Sequence, residues 1–298
     1  MYDLQTNYPG VAYRDKNGKP AGATIASGGC CPTSVGNILR NLCGISDATT
    51  RNVCALATSS GARYNGGTDP SILLEAAQKK WGGFEYEYTT SDTKMRAHIK
   101  AGGMALAHTP GNTGGATALF SKSGHFIAMI GVDGSKVIVF DPYYYPGKWT
   151  ENSVRKANVT TASVKGKVNA KYAAVARACD YYYLISKVEP TVTTTAKVNA
   201  RAGAGITKRK LGTIDKGVNL IVMGETTNWI KTSVWIVRKY CTIKDNKATL
   251  TANANARAAN ATASDKLGTL TKGASLTVLE MTDNWVRVPV WVAKKYTK

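Results

Sequence analysis

The sequence predicts an α+β domain followed by two small all-β barrels, and three observations predict it. Residues 1–186 read as helices first and antiparallel strands afterwards. Residues 198–241 and 253–298 are tandem copies of one β-rich unit. Between these regions lies "KVEPTVTTTAK" (187–197), with a proline, a threonine-rich run and almost no large apolar residue, which reads as a linker. A shorter connector, 242–252, separates the copies.

In the first region, helical patterns follow Pro32 ("TSVGNILRNLCG") and Pro70 ("SILLEAAQKKWGG"), and a shorter one spans "TKMRAHIKAGG". Each stops at glycine (Gly44, Gly82-Gly83, Gly102-Gly103), where a left-handed C-terminal cap would lie. Strand-like runs come next: "MALAH" (104–108), "HFIAMIGV" (125–132) and "KVIVFDP" (136–142). The last two are joined by Asp133-Gly134, a strong hairpin signal because glycine accepts the positive φ of the tight turn.

In the second region Asn199-Ala-Arg recurs at Asn255, Leu211-Gly-Thr at Leu267, Lys216-Gly at Lys272, Asn228-Trp at Asn284, Val234-Trp at Val290 and Lys239-Tyr at Lys295. Every match has an offset of 56, so this is a gapless duplication. Within each copy short β-rich runs ("NLIVM", "SLTVLEM", "VWIV", "VWVA") alternate with Gly, Asn and Asp turns, the grammar of a small barrel or sandwich.

The chain carries a net charge of +20 over 298 residues. Residues 1–190 hold 21 Lys and Arg against 13 Asp and Glu, a net +8, whereas residues 191–298 hold 18 against 6, a net +12. Solubility does not require such a charge, so an anionic partner is expected, bound mainly by the C-terminal part: a nucleic acid, an anionic membrane surface or an anionic wall polymer. No basic-aromatic nucleic-acid motif is present, and no apolar run reaches the length of a membrane span. "MYDLQTNYPG" has neither a basic n-region nor an apolar h-region, so the expectation is synthesis in the cytoplasm without a signal peptide. The cysteines (Cys30, Cys31, Cys43, Cys54, Cys179, Cys241) are too sparse for a disulfide framework, and their spacings match no zinc site. Neither metal nor cofactor is expected.

"GGCCPTS" (28–34) carries the first chemical signal. Pro32 suits the first turn of a helix, so Cys30 or Cys31 stands at a helix N-terminus, where the dipole favours the nucleophilic thiolate. His125 opens one strand of the Asp-Gly hairpin and Asp141 closes the other. Counting inward from the turn, Asp141 falls level with His125 or one pair away, and a carboxylate there would fix the imidazole tautomer and support the imidazolium. Cys, then His, then Asp is the chain order of papain-like thiol chemistry.

"GATIASGGCCPTSVGNIL" closely resembles the nucleophile segment of the bacteriocin-processing-type cysteine peptidases and their cell-wall-lytic relatives, and "GHFIAMIGVDGSKVIVFDP" resembles their His strand, hairpin and Asp-Pro. The resemblance covers residues 1–186 and implies a papain-like domain. It carries Cys30 onto the nucleophile, His125 onto the general base and Asp141 onto the residue that orients it. Cys31 stands where the family has glycine. Papain-like sites also use an upstream glutamine as oxyanion donor. Gln5 and Gln78 are the only glutamines and only Gln5 lies upstream of Cys30, which makes Gln5 the candidate. "VNARAGAGITKRKLGTIDKGVNLIV" with "TNWIKT" resembles bacterial SH3-type domains, which bind wall peptides or polymers in peptidoglycan hydrolases. Trp229, Trp235, Trp285 and Trp291 are then either barrel core or substrate-binding aromatics.

Together these resemblances imply a peptidoglycan hydrolase of the phage-endolysin or autolysin kind. It would cut an amide in the peptide part of Gram-positive wall as an endopeptidase or an N-acetylmuramoyl-L-alanine amidase, with two wall-binding repeats supplying avidity. Without a signal peptide, such an enzyme would reach the wall after release from an infected host or when applied externally. The alternatives are a cysteine protease acting on a protein and a catalytically inactive wall-binding protein.

Overall fold

The computed structural model describes residues 2–110 and 119–298. The chain divides into two compact units, Met1–Val188 and Glu189–Lys298.

The helices of the first unit are α1 (Ile25–Gly28), α2 (Cys30–Leu42), α3 (Thr50–Ser59), α4 (Pro70–Trp81), α5 (Asp92–Lys100), α6 (Ser153–Asn158) and α7 (Tyr172–Ala178). Its strands are β1 (Arg63–Tyr64), β2 (Gly67–Thr68), β3 (Phe84–Thr89), β4 (Met104–Thr109), β5 (His125–Asp133), β6 (Lys136–Phe140), β7 (Val159–Thr161), β8 (Lys167–Lys171) and β9 (Tyr181–Lys187). Among the described residues, β3-β9-β4-β5-β6-β8-β7 form an antiparallel sheet in that order. One of its faces supports α2: Val35, Ile38 and Leu39 join Leu106, Phe126, Ala128 and Phe140 in one core. Met95 and Ile99 of α5 pack with Ala105, Ile127, Met129 and Val139 in a second core, as alternation along a strand requires.

Local chemistry sets these boundaries. Thr24 and Ser27 form a reciprocal capping box on α1, so the chain turns once before α2 begins. Asp69 caps α4 through the Ser71 and Ile72 N–H groups, and Pro70 occupies the first turn. Gly82 ends α4 at φ 61°.

The second unit contains β10 (Thr191–Thr193), β11 (Val198–Arg201), β12 (Lys210–Ile214), β13 (Asn219–Ile221), β14 (Gly224–Glu225), β15 (Trp229–Val237), β16 (Cys241–Lys244), β17 (Lys247–Leu250), β18 (Ala254–Arg257), β19 (Lys266–Leu270), β20 (Ser275–Thr277), β21 (Glu280–Met281) and β22 (Trp285–Ala293). Here the structure corrects the expectation of two separate barrels. β15-β18-β19-β12-β11-β22 are neighbours in sequence of pairing, and β22 returns to β15, closing one ring from both copies. β15 and β22 run antiparallel over their whole length, from Trp229 opposite Ala293 to Val237 opposite Trp285. Val198, Leu211, Ile230 and Val234 of the first copy share one core with Leu267, Leu270, Val286 and Val290 of the second. Where β12 and β19 pair antiparallel, a Cβ on Gly212 would stand 2.1 Å from the Thr269 carbonyl oxygen and one on Gly268 2.1 Å from that of Thr213. Glycine is therefore required at both positions.

The connectors also differ from expectation. Thr191–Thr193, within the expected linker, pairs with β13. Residues 242–252 lie largely in a β16–β17 hairpin that adds β20, turning at Asp245 and Asn246 with both φ positive. β-Branched threonine and valine in 191–193 and the Asp-Asn turn supply that strand character.

Candidate active site

Two elements bring the chemistry together. α2 presents Cys30 as its first residue, with Gly29 at the N-cap; a Cβ there would stand 2.6 Å from the Ile25 carbonyl oxygen, so α1 and α2 can join this closely only through glycine. β5 presents His125 as its first residue, and Ser34 Oγ of α2 donates to the Phe126 carbonyl at 3.2 Å, tying helix to strand.

The hairpin register differs from simple counting. Asp133 faces Lys136 and Gly131 faces Ile138, but Met129 faces Val139 and Ala128 faces Phe140, so Ile130 is bulged out. Continued by one residue, this register puts Asp141 opposite Ile127, two positions from His125 rather than level with it or one pair away. Without the bulge Asp141 would oppose Ala128 and point to the other face from His125, because side chains alternate. The bulge thus places acid and imidazole on one face, within diagonal reach.

His125 Nε2 lies 2.8 Å from Asp141 Oδ1, and both side chains are buried. The other ring nitrogen is not engaged by Asp141, and the imidazole is electrostatically coupled to the Cys30 thiol. Burial opposes charging the imidazole, but the Asp141 charge and hydrogen bond, with the contribution of Cys30, win and raise its pKa to about 9. Burial likewise opposes the Cys30 thiolate, yet the His125 interaction and the Phe126 and Cys31 backbone hydrogen bonds outweigh it and bring that thiol below its ordinary pKa. Cys30 is partly exposed. Its neighbour Cys31 is 1 % exposed and packed in the core, where burial raises its thiol well above the ordinary range. One cysteine of the pair therefore faces the imidazole and the other fills the interior.

Lys148 completes the arrangement, and no sequence signal marked it. It is 1 % exposed, and its Nζ donates to Asp141 Oδ2 at 2.7 Å and to the Tyr143 carbonyl at 2.7 Å. Asp141 Oδ1 also accepts the Tyr143 N–H at 2.9 Å. Burial would keep Asp141 neutral, but Lys148 and then His125 overcome it and hold the carboxyl at about 2. Lysine, carboxylate, imidazole and thiol thus form a buried line of alternating charge that ends at the partly exposed Cys30.

Gln5 is 3 % exposed and sits between the two halves of the site. Its Nε2 donates to the Ala26 carbonyl of α1 at 2.8 Å, its backbone N–H to the Pro142 carbonyl at 3.0 Å, and its Oε1 has no partner. A cleft of about 260 Å³ opens at Cys30 and includes Tyr64, Gly67, Asp69, His108 and Tyr181 in its lining. His108 Nδ1 lies 2.7 Å from Asp180 Oδ1 and the ring stacks on Tyr181, 4.7 Å between centroids. The pairing of His108 with Asp180 spans 72 positions, so nothing local in the sequence points to it.

The four tryptophans differ in burial. Trp235 and Trp285 are only 9 % and 8 % exposed, so these two expected ligand-binding rings serve mainly as packing. Trp229 and Trp291 are half-buried, and Trp229 lines a surface cleft of the barrel. Among the described residues no group of acids, histidines and cysteines has the arrangement of a metal site, and no helix is long and apolar enough to cross a membrane.

Comparison with known proteins follows this division. Residues 252–298 match the bacterial SH3 domain. Solved structures with similarity to the chain include the peptidase domain of Streptococcus ComA, a bi-functional ABC transporter involved in a quorum-sensing pathway. It is 14 % identical, with 54 % of this chain and 92 % of that one covered and a TM-score of 0.36. A C39-like peptidase from Bacillus anthracis is 16 % identical, with 63 % and 98 % covered and a TM-score of 0.35. No curated protein matches the chain. Residues 7–179, more than half of the chain, match the Peptidase_C39 like family, and the chain belongs to that family of cysteine peptidases.

Proposed function

We propose that the chain is a peptidoglycan hydrolase of the endolysin or autolysin kind, which cuts an amide in the peptide part of Gram-positive wall with Cys30, while the barrel holds the wall. The observation that carries the catalytic half is the buried His125–Asp141 pair, 2.8 Å from Nε2 to Oδ1, together with its electrostatic coupling to the Cys30 thiol. The wall half is supported by the bacterial SH3 match over 252–298 and by the +12 charge of residues 191–298.

In this mechanism the Cys30 proton rests on His125, and the thiolate attacks the scissile carbonyl carbon. Backbone N–H groups at the start of α2, with the Gln5 amide, receive the oxyanion. The tetrahedral intermediate collapses, the C–N bond breaks, and the leaving amine takes the proton from His125. Water then gives a proton to His125 and its oxygen to the thioacyl carbon, releasing the carboxylic acid and restoring the thiol. Asp141 stays ionised throughout, held so by Lys148, and stabilises each imidazolium.

The test is digestion of purified Gram-positive sacculi beside an unfolded protein substrate, with mass spectrometry of the products. New N-terminal alanine on intact stem peptides identifies an amidase, and split stems or bridges an endopeptidase. Cleavage of the protein with intact sacculi would overturn the wall assignment.

A further inference from the structure

The shared barrel creates two clefts related by the 56-residue offset, each built from both copies. The first takes Thr227, Asn228 and Trp229 from copy one and Lys294 and Lys295 from copy two. The second takes Arg238 and Lys239 from copy one and Asp283 and Asn284 from copy two. Equivalent backbone bonds close them: Lys294 N–H to the Asn228 carbonyl and Arg238 N–H to the Asn284 carbonyl, both 2.9 Å. The scaffold is duplicated, so differences between the clefts are differences of side chain.

Most of those differences favour the first cleft as a binding site. It measures about 490 Å³ against about 360 Å³. Trp229 is half-buried and forms part of its wall, whereas the equivalent Trp285 is 8 % exposed. Ile206 stands 79 % exposed at its edge, where the other copy has Thr262. The lining of the second cleft includes the acid Asp283, and the first has Thr227 at that position. Lys294 Nζ pairs with Glu225 at 2.8 Å with both side chains well exposed, and Lys295 Nζ lies 4.9 Å from the ring centroid of Tyr296. An exposed pair of this kind exchanges partners at little cost.

We propose that the Trp229–Lys294–Lys295 cleft is the wall-recognition site of the barrel and that its ligand is an anionic wall glycopolymer. A sugar ring would lie against Trp229 and Ile206, and a phosphate or other acidic group would face Lys294 and Lys295. The second cleft is the degenerate copy. The inference rests on the wall-binding reading above and adds which surface and which polymer. The charge of the unit complements such a polyanion, and a row of weak contacts along a polymer suits a shallow open cleft.

The test uses the full chain as Cys30→Ala, so that the wall remains intact, pelleted with Gram-positive sacculi before and after acid removal of the phosphodiester-linked wall polymers. Trp229→Ala, and separately Lys294→Ala with Lys295→Ala, should each weaken binding to untreated sacculi at least about tenfold. Stripping should weaken the parent chain to the same level, and Arg238→Ala with Lys239→Ala should change binding less than about threefold. The lysine pair lies on the surface, so its result does not depend on barrel folding. If both first-cleft variants bind like the parent, the cleft assignment is wrong while wall binding stands. If stripping leaves binding intact yet Trp229→Ala reduces it, the ligand is the peptidoglycan itself and the polymer assignment is wrong. If the parent chain fails to bind any sacculi at low salt, the wall-binding reading falls with it.

Discussion

The two units concentrate function in opposite ways. In the first, Cys30, His125, Asp141 and Lys148 are brought by α2, β5 and the segment after β6 into one buried line of charge. In the second, a duplicated strand pattern builds one closed sheet, and its cationic residues stay on the surface. Buried charges are costly and must all be satisfied together, so the catalytic unit is sensitive to the loss of a single partner. Surface charges are individually cheap, so the barrel depends on backbone fit and on the number of contacts. Single substitutions should therefore have large chemical effects in the first unit and mainly structural effects in the second.

The largest expected effect is at the acid. Asp141→Asn keeps the shape but removes the charge that sustains the imidazolium, and hydrolysis of sacculi should fall about 10³- to 10⁴-fold with the fold retained by circular dichroism. Lys148→Met leaves Asp141 buried without its counter-charge. Stability should fall by roughly 3 kcal/mol. The acid limb of the rate profile should move to higher pH, because Lys148 is what lowers the Asp141 pKa most. A variant that only loosened the fold would lose activity without that movement.

Gly268→Val tests the other side of the comparison. Its side chain would meet the Thr213 carbonyl, so the barrel should lose about 3 kcal/mol in thermal unfolding. Alkylation of Cys30 should proceed at the parent rate. Because the core is shared, residues 253–298 alone should remain unfolded by circular dichroism; a folded fragment would contradict the shared barrel.

The most gradual effect is the pH dependence of stability. Asp141 is held at about 2, below its unfolded value, so its contribution is present at neutral pH and disappears as pH falls from about 4 toward 2. His125 is raised to about 9, so its contribution is complete below about pH 6.5 and disappears as pH rises toward 9. The catalytic unit should therefore lose stability at both extremes, and Asp141→Asn should remove the alkaline loss.

Much of this was legible before any coordinates. The glycine-capped helices, the Asp-Gly hairpin and the short segments around Cys30, His125 and Asp141 are local patterns, and local patterns survive into the fold. The bulge at Ile130 was not legible, because a bulged strand and a regular one have the same apolar alternation around it. Lys148 was hidden in "YYYPGK", where a lysine after a turn reads as solvated and only tertiary burial reveals its partner. The exchange of strands between copies was hidden for another reason. With both copies so alike, pairing within a copy and pairing between copies satisfy the same pattern, and sequence alone does not choose.

The central claim is that one cysteine of the adjacent pair is the nucleophile and the other is packing. Release of fragments from sacculi by the parent chain, Cys30→Ala and Cys31→Ala tests it most directly. Cys30→Ala should reduce release by at least about 10³-fold. Cys31→Ala, a small core truncation, should keep activity within about tenfold of the parent at some cost in stability. Full activity in Cys30→Ala with loss in Cys31→Ala would contradict the assignment, and full activity in both would contradict thiol catalysis.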